Sequence, residues 1–156
     1  MLDIDVIAGL IGGWREDFFS VLRIARGHGR ALALRHLSEG RNVVLPQLVT
    51  SHDHDLGFDD IAQQAGADYI EVVLMVDDAS HQQRLREKQP TSEVDSTIQA
   101  LLTDPESDLV ERVGRHLAEY LADRPHAVRL DTTAMTEHDT YALLTRVLDA
   151  VNAEDW

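Results

Sequence analysis

The sequence contains no cysteine and almost no lysine. With no thiol among its 156 residues, the chain has no disulfide bond, no thiolate metal ligand and no cysteine nucleophile. Of its 14 basic residues only Lys88 is a lysine, so any bound phosphate would be held by the planar guanidinium groups of arginine. These absences are compatible with a protein that resides in a reducing compartment, and they exclude chemistry that depends on a thiol.

Long apolar runs are absent as well. The longest, such as Val43 to Leu45 and Val72 to Val76, are far shorter than the roughly 20 residues that a membrane helix needs. Residues 1–5 carry acids where a signal peptide has basic residues and a long apolar core. The formal charge of -14 repels nucleic-acid phosphates and anionic membrane surfaces. We therefore expect a cytoplasmic protein that binds neither nucleic acid nor membranes.

The hydrophobic fraction of 44% and the length of the chain predict one folded domain over residues 1–156. Strand-like stretches are found at Leu2 to Val6, Asn42 to Leu45, Tyr69 to Val76 and Ala127 to Leu130. Helical periodicity is found at 14–26, 30–39, 58–65, 79–88, 92–102, 107–122 and 137–151. Because strands alternate with helices, this order predicts a mostly parallel sheet in a three-layer α/β/α fold.

Four stretches of the chain follow one another in an order typical of one enzyme superfamily. They are Leu2-Asp3-Ile4-Asp5, the run from His36 to Gln47, Gln83-Arg84-Leu85-Arg86, and Leu130-Asp131-Thr132-Thr133. Together they resemble the small-molecule kinases of the P-loop superfamily, including the shikimate, gluconate, chloramphenicol and zeta-toxin kinase groups and bacterial AAA-domain ATPase proteins. The resemblance implies Mg-ATP as cofactor, a small hydroxylated phosphate acceptor and a strand order of 2-3-1-4-5.

The phosphate-binding loop of that superfamily is missing from the sequence. Its pattern G-x-x-x-x-G-K-[ST] supplies backbone amides and a lysine that cradle phosphates, and Lys88 has no such glycines before it. One explanation is a start site placed about 25 to 30 residues too late, the size of one βα unit, which leaves the domain N-terminally incomplete. The other is a degenerate, non-catalytic fold that binds a ligand or partner. A nucleotide hydrolase is a third possibility.

The resemblance assigns catalytic roles to two pairs of residues. Asp3 and Asp5 would face the transferred phosphoryl group, where Asp3 can hold Mg²⁺ and a carboxylate can accept a hydroxyl proton. Arg84 and Arg86 fall where related kinases place lid arginines, and only one of them can face the site because residues two apart on a helix diverge. The alternatives are a helix-capping acid and a solvated helix.

Two further groups complete the candidate site. Gln47, His52 and His54 are candidates for contact with the substrate, and the alternating histidines could instead bind a metal or form a plain polar loop. By the resemblance, Asp131-Thr132-Thr133 follows the last strand where backbone groups flank adenine, whereas an N-cap of the last helix is the alternative.

A missing first strand would leave a gap between the strands at 42–45 and 69–76. Because unpaired buried backbone groups cost about 1–3 kcal/mol each, we expect these two strands to pair directly or a segment of another chain to lie between them. A homo-oligomer is one way to fill such a gap.

Overall fold

The computed structural model of the chain describes residues 1–48, 57–104 and 106–154, with side chains as far as residue 151. Within these residues there are seven helices and two strands. In chain order they are α1 (Ile4–Gly9), α2 (Phe18–Ser38), α3 (Phe58–Ala65), β1 (Val72–Met75), α4 (Asp78–Glu87), α5 (Glu93–Thr103), α6 (Leu109–Ala122), β2 (Val128–Asp131) and α7 (Glu137–Glu154).

The predicted three-layer α/β/α fold with a P-loop kinase-like parallel sheet is wrong. The described residues are mostly helical, and their only sheet consists of β1 and β2. Two of the four predicted strands do not form: residues 2–6 are largely helical, and residues 42–45 have no regular secondary structure. The missing strands remove the sheet that would have separated two layers of helices.

α1 replaces the predicted strand at Leu2 to Val6 because Asp3 caps a helix. Its Oδ1 accepts hydrogen bonds from the backbone N–H groups of Asp5 (2.9 Å) and Val6 (3.3 Å). These bonds satisfy two of the amide donors that the start of a helix leaves unpaired. Ile4 and Ala8, four residues apart on one helical face, are fully buried. The apolar and acidic alternation therefore reflects a short amphipathic helix.

α2 runs without a break through Gly27 and Gly29, where two separate helices were predicted. A Cβ atom at Gly29 would lie 2.3 Å from Cδ1 of Ile4, so the missing side chain lets α1 approach α2 closely. Gly40 has a φ of 73° just beyond the end of α2, which is the left-handed conformation expected of the residue after a helix. Gly40 therefore ends the helix as the sequence predicts.

The main core lies where α1, α2 and α5 meet. α1 packs along α2 on one side and against α5 on the other. The buried apolar side chains at this junction are Ile4, Ala8, Trp14, Val21, Ala25 and Val94. This packing fixes the start of α1 between two longer helices.

The segment at 42–45 contacts the start of the chain. The N–H of Leu2 donates a 2.8 Å hydrogen bond to the carbonyl of Val44, but no ladder of bonds continues it within the described residues. The expected direct pairing between this segment and the strand at 69–76 is therefore wrong. In the described residues β1 pairs with β2 alone.

β1 and β2 pair in parallel, as the alternation of strands and helices predicts. Val72 lies opposite Val128 and Met75 opposite Asp131. The ladder continues by one bond at each end, from the N–H of Val128 to the carbonyl of Glu71 (2.9 Å) and from the N–H of Thr132 to the carbonyl of Met75 (2.8 Å). Both strands therefore end at the same edge, where α4 begins and the turn before α7 lies.

The five later helices agree closely with the sequence periodicity. α3 covers the predicted residues 58–65, and α4 to α7 lie within three residues of their predicted bounds. No helix in the described ranges combines the length and apolar character needed to cross a membrane.

Candidate functional site

Asp3 and Asp5 stand at the start of α1, next to charged residues from three other segments. Asp3 is half-buried and uses Oδ1 for the helix cap, so the rest of its carboxylate has lone pairs to offer. Asp5 is also half-buried, one residue after the buried Ile4. The start of α1 thus carries two carboxylates at the edge of the core, near enough for the charge of Asp3 to act on Asp5.

Asp5 has a raised pKa. Its partial burial is the largest cause, and the negative charges of Asp3 and Asp95 act in the same direction. Lys88 and Arg26 oppose the shift, because a nearby positive charge favours the carboxylate. A carboxylate in such a setting holds a proton at higher pH than an exposed aspartate does.

Lys88 and Asp95 form an ion pair beside Asp5. Nζ of Lys88 lies 2.5 Å from Oδ1 of Asp95, and the backbone N–H of Thr91 donates to Oδ2 of Asp95 at 2.9 Å. The Lys88 hydrogen bond and then the Thr91 amide lower the pKa of Asp95. The pair therefore carries an ionised carboxylate and an ammonium group that act electrostatically on Asp5.

Arg26, on α2, is the second cation near Asp5. Its side chain is half-buried, and burial lowers its pKa while Asp5 counteracts the shift. Nε of Arg26 is buried and has no hydrogen-bond partner among the described residues. Because nearly all buried donors in native proteins are paired, this guanidinium has unused capacity for an anionic partner. We call Asp3, Asp5, Arg26, Lys88 and Asp95 the α1 charge cluster.

Arg84 belongs to a second group, at the edge where both strands end. Its Nη2 donates to the carbonyls of Thr132 (2.6 Å), Thr133 (3.2 Å) and Met135 (3.3 Å), and Nη1 donates to Oγ1 of Thr132 at 3.3 Å. Oγ1 of the buried Thr132 also donates to the carbonyl of Met75. Arg84 therefore ties α4 to the turn that follows β2.

Two exposed carboxylates flank Arg84 at this edge. Asp77 caps α4 through the N–H of Ser80 (2.8 Å), and its own N–H donates to Oγ1 of Thr133 (3.0 Å). Oδ1 of Asp131 accepts the N–H of Thr133 at 2.9 Å. Hydrogen bonds from Ser80 lower the pKa of Asp77, and those from Thr133 lower the pKa of Asp131. We call Asp77, Arg84, Asp131, Thr132 and Thr133 the sheet-edge group.

An open depression of about 440 Å³ lies along α4. Arg84 of the sheet-edge group and Lys88 of the α1 charge cluster both line it. The remaining lining residues are His81, Leu85, Glu87 and Glu137. Two basic side chains one helical turn apart thus border the same open depression.

The structure separates the predicted site residues into these two groups. Asp3 and Asp5 lie in the α1 charge cluster, and Arg84 lies with Asp131, Thr132 and Thr133 in the sheet-edge group. Arg86 instead donates to Oε1 of Gln82 at 3.3 Å on the exposed side of α4. Gln47 is half-buried in the irregular segment after α2. His52 and His54 lie outside the described residues.

The sequence alone did not single out Arg26, Lys88 or Asp95 as members of the site. The nearest signal was the capping pattern Ser92-Glu93-Val94-Asp95, in which the hydroxyl of Ser92 accepts the N–H of Asp95 (3.0 Å). No pattern along the chain places α2 and α5 beside α1, because that contact forms only in the folded core.

Within the described ranges, no three or more histidine, aspartate or glutamate side chains are arranged to hold a metal ion. Comparisons of the chain with protein-family models, with curated proteins and with solved structures found no match.

Proposed function

We propose that the chain takes part in ATP-dependent phosphoryl transfer to a small hydroxylated acceptor, with the α1 charge cluster as its catalytic part. One observation carries this proposal: the half-buried carboxylate of Asp5 lies among the charged groups of Asp3, Lys88 and Arg26, and its burial raises its pKa. Phosphoryl transfer relies on positioning and electrostatic stabilisation, so it uses a carboxylate for the acceptor hydroxyl and cations for the charge on the transferred group.

Asp5 is the base in this proposal. A raised pKa brings its carboxylate closer to the operating pH, where it accepts a hydroxyl proton more effectively than an ordinary aspartate. In this proposal Lys88 and Arg26 attract a phosphoryl oxygen, and the buried Nε of Arg26, which has no hydrogen-bond partner among the described residues, supports that role for Arg26. Oδ2 of Asp3 takes no part in capping α1 and would suit Mg²⁺, an ion commonly held by one or two carboxylates together with substrate phosphates.

Arg84 has a positioning role instead of direct contact with phosphate. Its Nη2 group donates hydrogen bonds to three backbone carbonyls, so the guanidinium orders the turn at 132–135. That turn borders the depression through the neighbouring Glu137. The phosphate-binding loop pattern occurs nowhere in the 156 residues, so the activity requires a phosphate cradle that these residues do not supply.

The test is turnover in the longest reading frame that contains these residues. ADP formation from Mg-ATP would be measured with sugars, sugar acids, amino alcohols and nucleosides as acceptors. We expect Asp5→Asn to lower turnover by about 10²–10⁴-fold, the usual contribution of a general base, and the exposed Asp68→Asn to leave it unchanged. Absence of acceptor-dependent ADP formation, or full turnover in Asp5→Asn, would contradict the proposal.

A second candidate function is a non-catalytic module that binds a ligand or partner. The observation that favours it is that two side chains predicted to be catalytic already make hydrogen bonds within the fold. Asp3 caps α1, and Arg84 donates to three backbone carbonyls. Calorimetry of the 156-residue chain with Mg-ATP should show no low-micromolar binding under either candidate. Acceptor-dependent turnover in the longest reading frame that contains these residues then separates the catalytic function from the binding function.

A further inference from the structure

β1 has the composition of a central strand but the position of an edge strand. All four of its residues, Val72-Val73-Leu74-Met75, are apolar, a pattern typical of strands buried within a parallel sheet. Yet Leu74 is 50% exposed and Met75 is 37% exposed. Among residues 1–48, 57–104 and 106–154, β2 is the only strand that pairs with β1. One edge of β1 is therefore open within this part of the chain.

Backbone groups on that open edge are available for strand pairing. Glu71 and Met75 direct their carbonyls to β2, so Val73, between them, faces β2 as well. The N–H and C=O groups of Val72 and Leu74 consequently point away from β2. A strand edge of this kind is a template for adding another extended segment.

The outer edge of β2 shows the opposite character. Arg129 and Asp131 occupy the positions of β2 that face away from β1, and both are exposed and charged. Charged residues on an edge strand protect it from pairing with other chains. β1 contains no charged residue. We therefore expect the open edge of β1 to accept an added strand more easily than the outer edge of β2.

Exposed acidic residues flank β1 along the chain on both sides. Asp68 precedes β1, while Asp77 and Asp78 follow it, and all three are exposed. Hydrogen bonds from Ser80 lower the pKa of Asp77, which keeps that carboxylate ionised. Basic residues at the two ends of a partner strand would complement these acids. A second copy would bring the same acids and another net charge of -14, which opposes self-association.

We propose that the free edge of β1 binds an extended apolar peptide segment with basic residues at both ends, which adds to the sheet as a third strand. The hydrogen bonds would come from Val72 and Leu74, and the apolar side chains of the segment would cover Leu74 and Met75. This interaction surface is independent of the catalytic proposal, because none of its residues belongs to the α1 charge cluster.

The first test uses a fluorescein-labelled peptide, Lys-Val-Ile-Val-Leu-Lys, with blocked termini, and fluorescence anisotropy against the 156-residue chain. We expect saturable binding that weakens about tenfold or more when alternate peptide amides are N-methylated, since hydrogen bonds are lost. Replacing both lysines by glutamates should weaken binding at low salt by a similar factor. No saturable binding, or equal binding of the N-methylated or glutamate peptide, would overturn the proposal.

The second test changes the protein at Leu74. Leu74→Pro removes an N–H that faces away from β2, so the bonds between β1 and β2 remain while peptide binding is lost. Leu74→Ala is the matched control, because it keeps the N–H and should bind the peptide more tightly than the proline variant. Amide hydrogen exchange at Leu130 reports whether the ladder is intact. If the unmodified chain is a dimer in sedimentation and Leu74→Pro makes it a monomer, the occupant is a second copy and the proposal is wrong.

Discussion

The contact between Gly29 on α2 and Ile4 on α1 gives the sharpest prediction for stability. A Cβ atom at Gly29 would lie 2.3 Å from Cδ1 of Ile4, about 1.2 Å short of the 3.5 Å at which two carbon atoms normally meet. Ile4 is fully buried, so its side chain cannot avoid the clash by rotating into solvent. Gly29→Ala must therefore push α1 away from α2 or force Ile4 into a strained rotamer.

The magnitude follows from two opposing effects. Overpacking a core typically costs about 1–3 kcal/mol, whereas alanine is favoured over glycine within a helix by about 1 kcal/mol. We therefore expect Gly29→Ala to lower the free energy of unfolding by up to about 2 kcal/mol. Gly27→Ala is the matched control in the same helix, since nothing lies within 4 Å of its Cβ position. It should raise the free energy of unfolding by about 0.5–1 kcal/mol.

Urea unfolding followed by circular dichroism would measure both variants together with Ile4→Val, which removes the clashing Cδ1 atom. Ile4→Val alone should cost about 0.5–1.5 kcal/mol. Combined with Gly29→Ala, it should restore at least about 1 kcal/mol relative to the sum of the single changes. Equal effects of Gly29→Ala and Gly27→Ala, or strict additivity in the double variant, would refute the close contact between α1 and α2.

The pH dependence of stability should differ in sign between two aspartates of the α1 charge cluster. The pKa of Asp95 is lowered, so its stabilisation is complete above the unfolded value of about 3.9 and is lost as the pH falls through the folded pKa. Asp95→Asn should thus cost about 1 kcal/mol at pH 7, and the loss should vanish at low pH. Asp5 has a raised pKa, so its ionised carboxylate lowers the free energy of unfolding when the pH is above the folded pKa. Asp5→Asn should therefore stabilise the chain at pH 7 and have no effect near pH 3. Urea unfolding between pH 3 and 7 tests both signs, and parallel curves for the two variants would contradict them. At the sheet edge, Arg84→Ala should lower the free energy of unfolding by about 1–2 kcal/mol, because it frees three carbonyls, while Arg86→Ala should change it by less than about 0.5 kcal/mol. Equal effects of the two arginine variants would mean that the contacts of Arg84 carry no stability.

The later helices could be predicted because local signals define them. α3 matches its predicted bounds since an apolar face runs from Phe58 to Ala65 and Gly66 then adopts a φ of 67°. α4 and α5 are capped by Asp77 and Ser92, whose side chains accept backbone N–H groups in the first turn. Such signals lie within a few residues of each other, so they need no knowledge of the tertiary structure.

The sheet could not be predicted from local signals. Leu2 to Val6 and Asn42 to Leu45 have the composition of strands, but a strand exists only where a partner supplies its hydrogen bonds. At the first segment the Asp3 cap gives the backbone a helical alternative. At the second segment a single bond from Leu2 is the only backbone bond to residues 42–45 within the described part of the chain. Among the residues that the structure describes, only β1 and β2 pair with each other.

The candidate site was predictable in part for the same reason. Asp3 caps α1 and Asp5 follows it by two residues, while Asp131 to Thr133 are consecutive at the end of one strand. Sequence order therefore already places the residues of each group close together. Arg26, Lys88 and Asp95 come from three other segments, and the sequence gives no signal that they share a site.

The position of α1 explains how these distant residues meet. Gly29 brings the start of α1 against α2, where Arg26 lies one turn before Gly29, and this contact places Asp5 near the guanidinium. At the other end of α1, a Cβ at Gly9 would lie 3.1 Å from Cγ2 of Val94, so the absence of a side chain there brings α1 against α5 next to Asp95. Two glycines on different helices thus set how closely Asp5 approaches one cation and one anion. A side chain at Gly29 that displaces α1 should therefore also move the pKa of Asp5 toward its ordinary value, which links the packing of the core to the chemistry of the proposed base.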